Sequence, residues 1–253
     1  MKEIEELKKN LIMWLEEHPD VIKQITEGMQ SITSGVIKHM QANYQARINM
    51  YPILKKELIP LAQRGWLISG YFGMSDLYEL SQFISACDAN HLDQHVKELY
   101  RDDFENHVQE ILKDYPEREF AIKPAINAHK RGEYALSVPI FFAQTDGICF
   151  EKMKKNLFQN KDHISTLAKV NITTSDAAYV DNSIVYTFIS EILWTQLIDE
   201  LPIGYNEKKR KDNSYFGLNR NTVLHGIAMD EYATEENSLK AFSLLSCIAC
   251  LGV

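Results

Sequence analysis

Residues 236–251 read ENSLKAFSLLSCIACL, and this stretch decides the fold. Leu239, Phe242, Leu245 and Ile248 recur at three-residue spacing, which places them along one face of a helix. Working outward, Tyr134–Gln144 (YALSVPIFFAQ) is strongly apolar and reads as a buried central helix. Ile184, Phe188, Ile189, Ile192, Leu193 and Leu197 form another helix that must end before Pro202. Almost nothing alternates with period two. Glycine and proline number only 11 and 7 in 253 residues, fewer turns than an all-β chain requires. The expected fold is an all-α helical bundle.

The rest of the chain agrees. Ile4, Leu7, Leu11 and Trp14 predict a first helix that stops near His18-Pro19. Asp20 is placed to cap a second, through Val21, Ile25, Met29, Ile32 and Val36. Pro52 and Pro60 punctuate a third segment, and Arg64–Gly70 reads as a helix end or turn. A short helix is expected over Asp76–Ala86. Asn90 reads as the cap of a helix running to Leu112, ahead of Pro116. Ile122–Lys130 is helical up to Gly132. Asn156–Ser183 is expected to be loops with one short helix, and Gly204–Gly217 a polar, basic loop. The interruption at Asp114–Glu117 is a candidate boundary between an N-terminal accessory helical region, 1–115, and a C-terminal helical domain, 116–253. The two also read as one compact unit.

Composition bounds the function. Lys and Arg total 27 against 35 Asp and Glu, a net charge of −8. Avid nonspecific coating of nucleic acid needs a basic surface, so any RNA contact must come from a local patch. The charged, amphipathic start MKEIEELKKN does not read as a signal peptide. The longest apolar runs fall short of the roughly 20 residues that span a bilayer. A cytoplasmic protein without membrane partners is the expectation. Cys87, Cys149, Cys247 and Cys250 read as reduced core residues, since the Cys247/Cys250 pair lies in an apolar helix without a second pair.

The chemistry-bearing window is Gly217-Leu218-Asn219-Arg220-Asn221-Thr222-Val223-Leu224-His225-Gly226. Histidine titrates near neutrality and suits proton transfer. A guanidinium holds phosphate through a planar fork. Five helical positions separate Arg220 from His225 by about 140° around the axis, so the two do not stack as an i,i+4 pair would. Lys208, Lys209, Arg210 and Lys211 form the dense basic run just upstream, a candidate guide for an RNA backbone.

The window resembles the RxxxxH motif of HEPN domains, helical-bundle endoribonucleases of toxin and phage-defence systems. Asn219-Arg220-Asn221 with Val223-Leu224-His225-Gly226 is similar to a fuller form of that motif. So are Tyr232–Ala241 and the upstream blocks Tyr134–Pro139 and Gln144–Ile148, and the resemblance spans roughly Pro116 to Leu251. It implies RNA cleavage without metal or cofactor, with Arg220, His225 and Asn221 as catalytic residues. It also implies a homodimer whose motifs meet in a composite site, a 2′,3′-cyclic phosphate product, and an antitoxin or defence-system partner.

Three other readings stand beside this one. A noncatalytic helical module would use the same residues to bind a nucleotide, RNA or partner protein, or to dimerise. A metal enzyme would use His91 and His95, at i,i+4 near Asp88 and Asp93, although no third ligand is identifiable. Arg220 and His225 would otherwise only cap and pack a helix junction. Asp146 and Glu151 are the acids placed to pair with Arg220, and His129 reads as structural.

Overall fold

The computed structural model describes residues 50, 52–86, 88–159, 164–169, 171 and 184–251, with Lys23 and Glu27; for 89, 90 and 184–189 it describes the backbone. The expected helices of the first 49 residues lie outside the described residues, Lys23 and Glu27 excepted. The chain divides into two compact units, Met1–Asn49 and Met50–Val253. The second begins with α1 (52–63), α2 (Met74–Ala86), α3 (Ala89–Asp102) and α4 (Phe104–Asp114). It continues through α5 (Glu119–Lys130), α6 (Tyr134–Met153), α7 (164–169) and α8 (Ile184–Thr195). It ends with α9 (Glu207–Asp212), α10 (Arg220–Leu224) and α11 (Glu235–Cys250). No strand occurs among the described residues, and the protein is all-α. None of the described helices is long and apolar enough to cross a membrane.

The core is built on α11 packed against α6. The Thr234 side chain accepts the Asn237 N–H at 3.2 Å and so caps α11. Eleven of its 16 residues are buried, among them Leu239, Phe242, Leu244, Leu245 and Ile248. Each such large side chain contributes about 1.5–3 kcal/mol. Small residues on the same helix let α6 approach, and the Ser137 and Ser238 hydroxyls meet at 2.7 Å. Helix α6 runs past its expected end to Met153, and it is not buried all round: Leu136 and Phe150 are exposed. Pro139 sits inside it and supplies no N–H to the Ala135 carbonyl. The Tyr232 hydroxyl donates to that carbonyl instead, at 3.3 Å.

Several boundaries differ from expectation. Pro60 lies within α1. Asp88 rather than Asn90 opens α3, its carboxylate accepting the His91 N–H at 3.1 Å. Pro116 lies inside the second unit. The Phe104 and Phe242 rings sit 4.4 Å apart, and the Tyr115 hydroxyl donates to the Ala249 carbonyl at 3.1 Å. Glu207–Asp212, read as loop, is helical because Asn206 accepts the Lys209 N–H and Lys211 pairs with Glu207 one turn back.

The helix end or turn expected at Arg64–Gly70 is there, α1 stopping at residue 63 and Arg64–Gly65 turning, but Trp66–Ser69 runs on into the core. These four residues have no regular secondary structure and are almost wholly buried. Buried backbone outside a helix needs partners, and side chains provide them. Ser243 accepts the Leu67 N–H at 3.2 Å, and Tyr100 donates to the Leu67 carbonyl at 2.6 Å. The Gln196 amide accepts from Ile68 N–H at 2.5 Å and donates to Ile68 C=O at 2.9 Å, as a neighbouring strand would. Gln196→Leu leaves the Ile68 N–H and C=O orphaned in the core. It is expected to destabilise the protein by about 2–4 kcal/mol in chemical denaturation.

His107 is buried among Tyr71, Phe72, Tyr100 and Phe242, with its Nδ1 facing the Asp103 carbonyl and carboxylate and its Nε2 unpartnered. Burial pushes its pKa down, and the Asp103 contacts offset only part of that. Burial also lowers His129. A folded-state pKa below the unfolded value of about 6.5 means stability is full above that pH and is lost as pH falls below it. The melting temperature should therefore drop on acidification, and His107→Leu should reduce that pH dependence.

Candidate active site

The Asn219-Arg220-Asn221 motif is a structural staple before it is anything else. Asn219 is buried and caps α10, its Oδ1 accepting the Thr222 N–H at 3.1 Å. Its amide donates to the carbonyls of Pro202 at 3.1 Å and Tyr205 at 3.0 Å. Asn221 repeats the pattern, donating to Gly204 at 3.2 Å and Tyr205 at 3.0 Å. Two amides thus tie α10 to the 3-10 turn Pro202–Gly204 and to Tyr205, which follows it. Asn221, expected among the catalytic residues, has both donor hydrogens committed to backbone and its Oδ1 facing Arg220.

Arg220 is mostly buried, its side chain 18% exposed. Its Nη2 donates to Asp146 Oδ2 at 3.2 Å and its Nη1 to Asn221 Oδ1 at 3.1 Å. The guanidinium lies over the Phe158 ring at 5.3 Å. Phe158 reaches this position because Gly204 has no side chain; a Cβ there would stand 2.6 Å from the ring. Of the two acids expected near Arg220, Asp146 takes the role. Glu151 instead pairs with Arg118, which crosses Gly147 where a Cβ would meet its Nη1 at 2.5 Å. Asp146 Oδ1 and Arg220 Nε are both buried without partners.

His225 follows the last turn of α10. Its backbone N–H closes the helix on Asn221, and its ring is exposed. It lines a cleft of about 510 Å³ together with Asn221, Arg210, Lys211, Tyr215 and Phe216. Arg220 does not line this cleft, so within one chain the two motif residues face different surroundings. The basic run divides likewise. Arg210 and Lys211 line the cleft, while Lys208 is exposed outside it. Lys209 pairs with Glu200 and lies over the Tyr205 ring. Burial pushes the Tyr215 phenol up to about 12, and its hydroxyl donates to the Leu218 carbonyl at 3.0 Å, so it supplies no base near neutrality.

Among the described residues no group of His, Cys, Asp and Glu is arranged to hold a metal ion. His91 contacts Asp88 at 2.9 Å, and His95 stacks on Phe83 with centroids 3.9 Å apart. His129 is structural, bonded to Ser238 at 2.8 Å. Cys149, Cys247 and Cys250 are free thiols. No protein-family model, curated protein or solved structure matches this chain significantly.

Asn219→Ala removes the α10 cap and two donors to the turn. Chemical denaturation should show a loss of about 2–4 kcal/mol. Asn219→Asp keeps the cap oxygen but sets a carboxylate oxygen against the Pro202 and Tyr205 carbonyls, and should lose at least as much.

Proposed function

We propose that the chain is a metal-independent endoribonuclease of HEPN type, acting as a homodimer in a toxin–antitoxin or antiphage setting. The observation that carries this reading is His225. It presents an exposed imidazole, without a hydrogen-bond partner among the described residues, to a cleft that also holds Arg210 and Lys211. An unengaged imidazole beside cations is the equipment that cleavage through the 2′-hydroxyl needs. His225 takes the 2′-OH proton, the 2′-oxygen attacks phosphorus, and the 5′-oxygen leaves and is protonated. The products are a 2′,3′-cyclic phosphate and a 5′-hydroxyl. Ile227 and Met229, 61% and 77% exposed, follow His225 in sequence and supply apolar surface for a second copy. In each copy Arg220, held by Asp146 and Asn221, fixes the short helix α10 that His225 follows.

One observation favours the second reading, a noncatalytic binding or dimerisation module. Arg220 is already held by Asp146 and Asn221 as a structural guanidinium would be. Full-length protein incubated with labelled RNA in EDTA separates the two. The nuclease reading expects cleavage leaving cyclic phosphate ends, reduced at least 100-fold in His225→Ala and also lost in Arg220→Ala. Intact RNA with wild-type protein at every concentration would reject it and favour the module.

A further inference from the structure

Seven arginines occur in the chain, and six of them are among the residues whose side chains are described. Five are paired with a carboxylate. Arg64 meets Asp93, Arg101 meets Glu235, Arg118 meets Glu151, Arg131 meets Glu133 and Arg220 meets Asp146. Arg210 is the exception among the described arginines. No hydrogen bond or ion pair engages its guanidinium, and its Nε is buried without a partner. In a chain of net charge −8 an unclaimed, half-buried guanidinium is not a solvated surface charge. The one acid lining the same cleft, Glu207, is occupied by Lys211 at 2.6 Å.

Arg210 shares its cleft with His225, whereas Arg220 does not line it. We propose that Arg210 is the phosphate-binding guanidinium of the His225 cleft, gripping the backbone of a single-stranded RNA, and that Arg220 is a positioning residue held by Asp146. The assignment rests on the nuclease reading for its choice of ligand, though not for its geometry. A guanidinium with all five N–H donors unspent offers a phosphate a bidentate fork; Arg220 has already spent two. Tyr215 and Phe216, lining the same cleft, give the adjoining bases aromatic surface, which makes unpaired rather than duplex RNA the fitting ligand.

The test uses full-length protein in EDTA and a short single-stranded RNA methylated at every 2′-oxygen, which binds but is not cut. Arg210→Ala should raise Kd about tenfold, as expected for loss of a charge-assisted contact. It should also lower the salt slope of log K by about 0.7. Arg210→Lys should recover the slope but only part of the affinity, and Lys208→Ala should change affinity less than Arg210→Ala. Arg220→Ala should leave the slope unchanged, because its charge is neutralised by Asp146. Unchanged slope and affinity in Arg210→Ala, or no binding by wild type at low salt, would overturn the assignment. The nuclease reading fails separately: Arg210-dependent binding of this oligonucleotide, with unmodified RNA left whole, keeps the phosphate site and removes the enzyme. Cleavage of unmodified RNA with Arg210-independent binding does the reverse. Matching thermal melts of Arg210→Ala and wild type exclude a folding defect, since no internal bond is removed.

Discussion

The candidate site depends on the Asn219 side chain. Helix α10 is five residues long, too short to persist through its own hydrogen bonds. Its position comes from outside: Asn219 caps its first turn and, from the same buried amide, grips the Pro202 and Tyr205 carbonyls. Asn221 adds two further bonds to that turn. A short helix pinned this way holds its neighbours at fixed angles. The turn in turn offers Gly204, against which Phe158 lies, and Phe158 is the surface on which the Arg220 guanidinium rests. One chain of contacts therefore runs from the asparagine amides through the glycine to the arginine.

That chain explains why the two residues five positions apart do different things. The helical rotation of about 140° turns Arg220 toward Asp146 on α6 and leaves His225 lining the cleft. Burying a guanidinium costs several kcal/mol unless it is paired, and Asp146 supplies the pairing. The bond is single, with Asp146 Oδ1 and Arg220 Nε both left without partners. The α10–α6 contact is therefore held by charge as well as by packing.

Much of the architecture was legible as hydrophobic rhythm. The helices over α8 and α11 carry three- and four-residue spacing, α6 shows as an apolar run, and Gly132, at φ +76°, ends α5 where its sequence position indicates. Two elements were not legible, for opposite reasons. Trp66–Ser69 is too short to show a period, and its partners Tyr100, Gln196 and Ser243 are 33, 128 and 176 residues or so away in sequence. Lys208–Lys211 has no apolar face at all, so α9 rests on a cap and an i,i+4 pair rather than on burial. Of the site, residue types at the motif were readable. Which of them face one another was not, because Asp146–Arg220 and Asn219–Pro202 are tertiary contacts.

Charge accounting adds the last constraint. With more acids than bases, a cation on this surface finds a carboxylate nearby unless the fold keeps one away. The arginines show that tendency at Asp93, Glu235, Glu151, Glu133 and Asp146. Around Arg210 the fold does the opposite. Glu207, one turn earlier on the same helix, is drawn to Lys211, and Glu200 to Lys209. The alternation of Lys209, Arg210 and Lys211 on α9 sends each acid to a lysine and leaves the arginine between them facing the cleft. A positive patch thus survives in a protein of net negative charge, screened over about 8 Å at physiological salt. Only an anion that enters the cleft is affected by it.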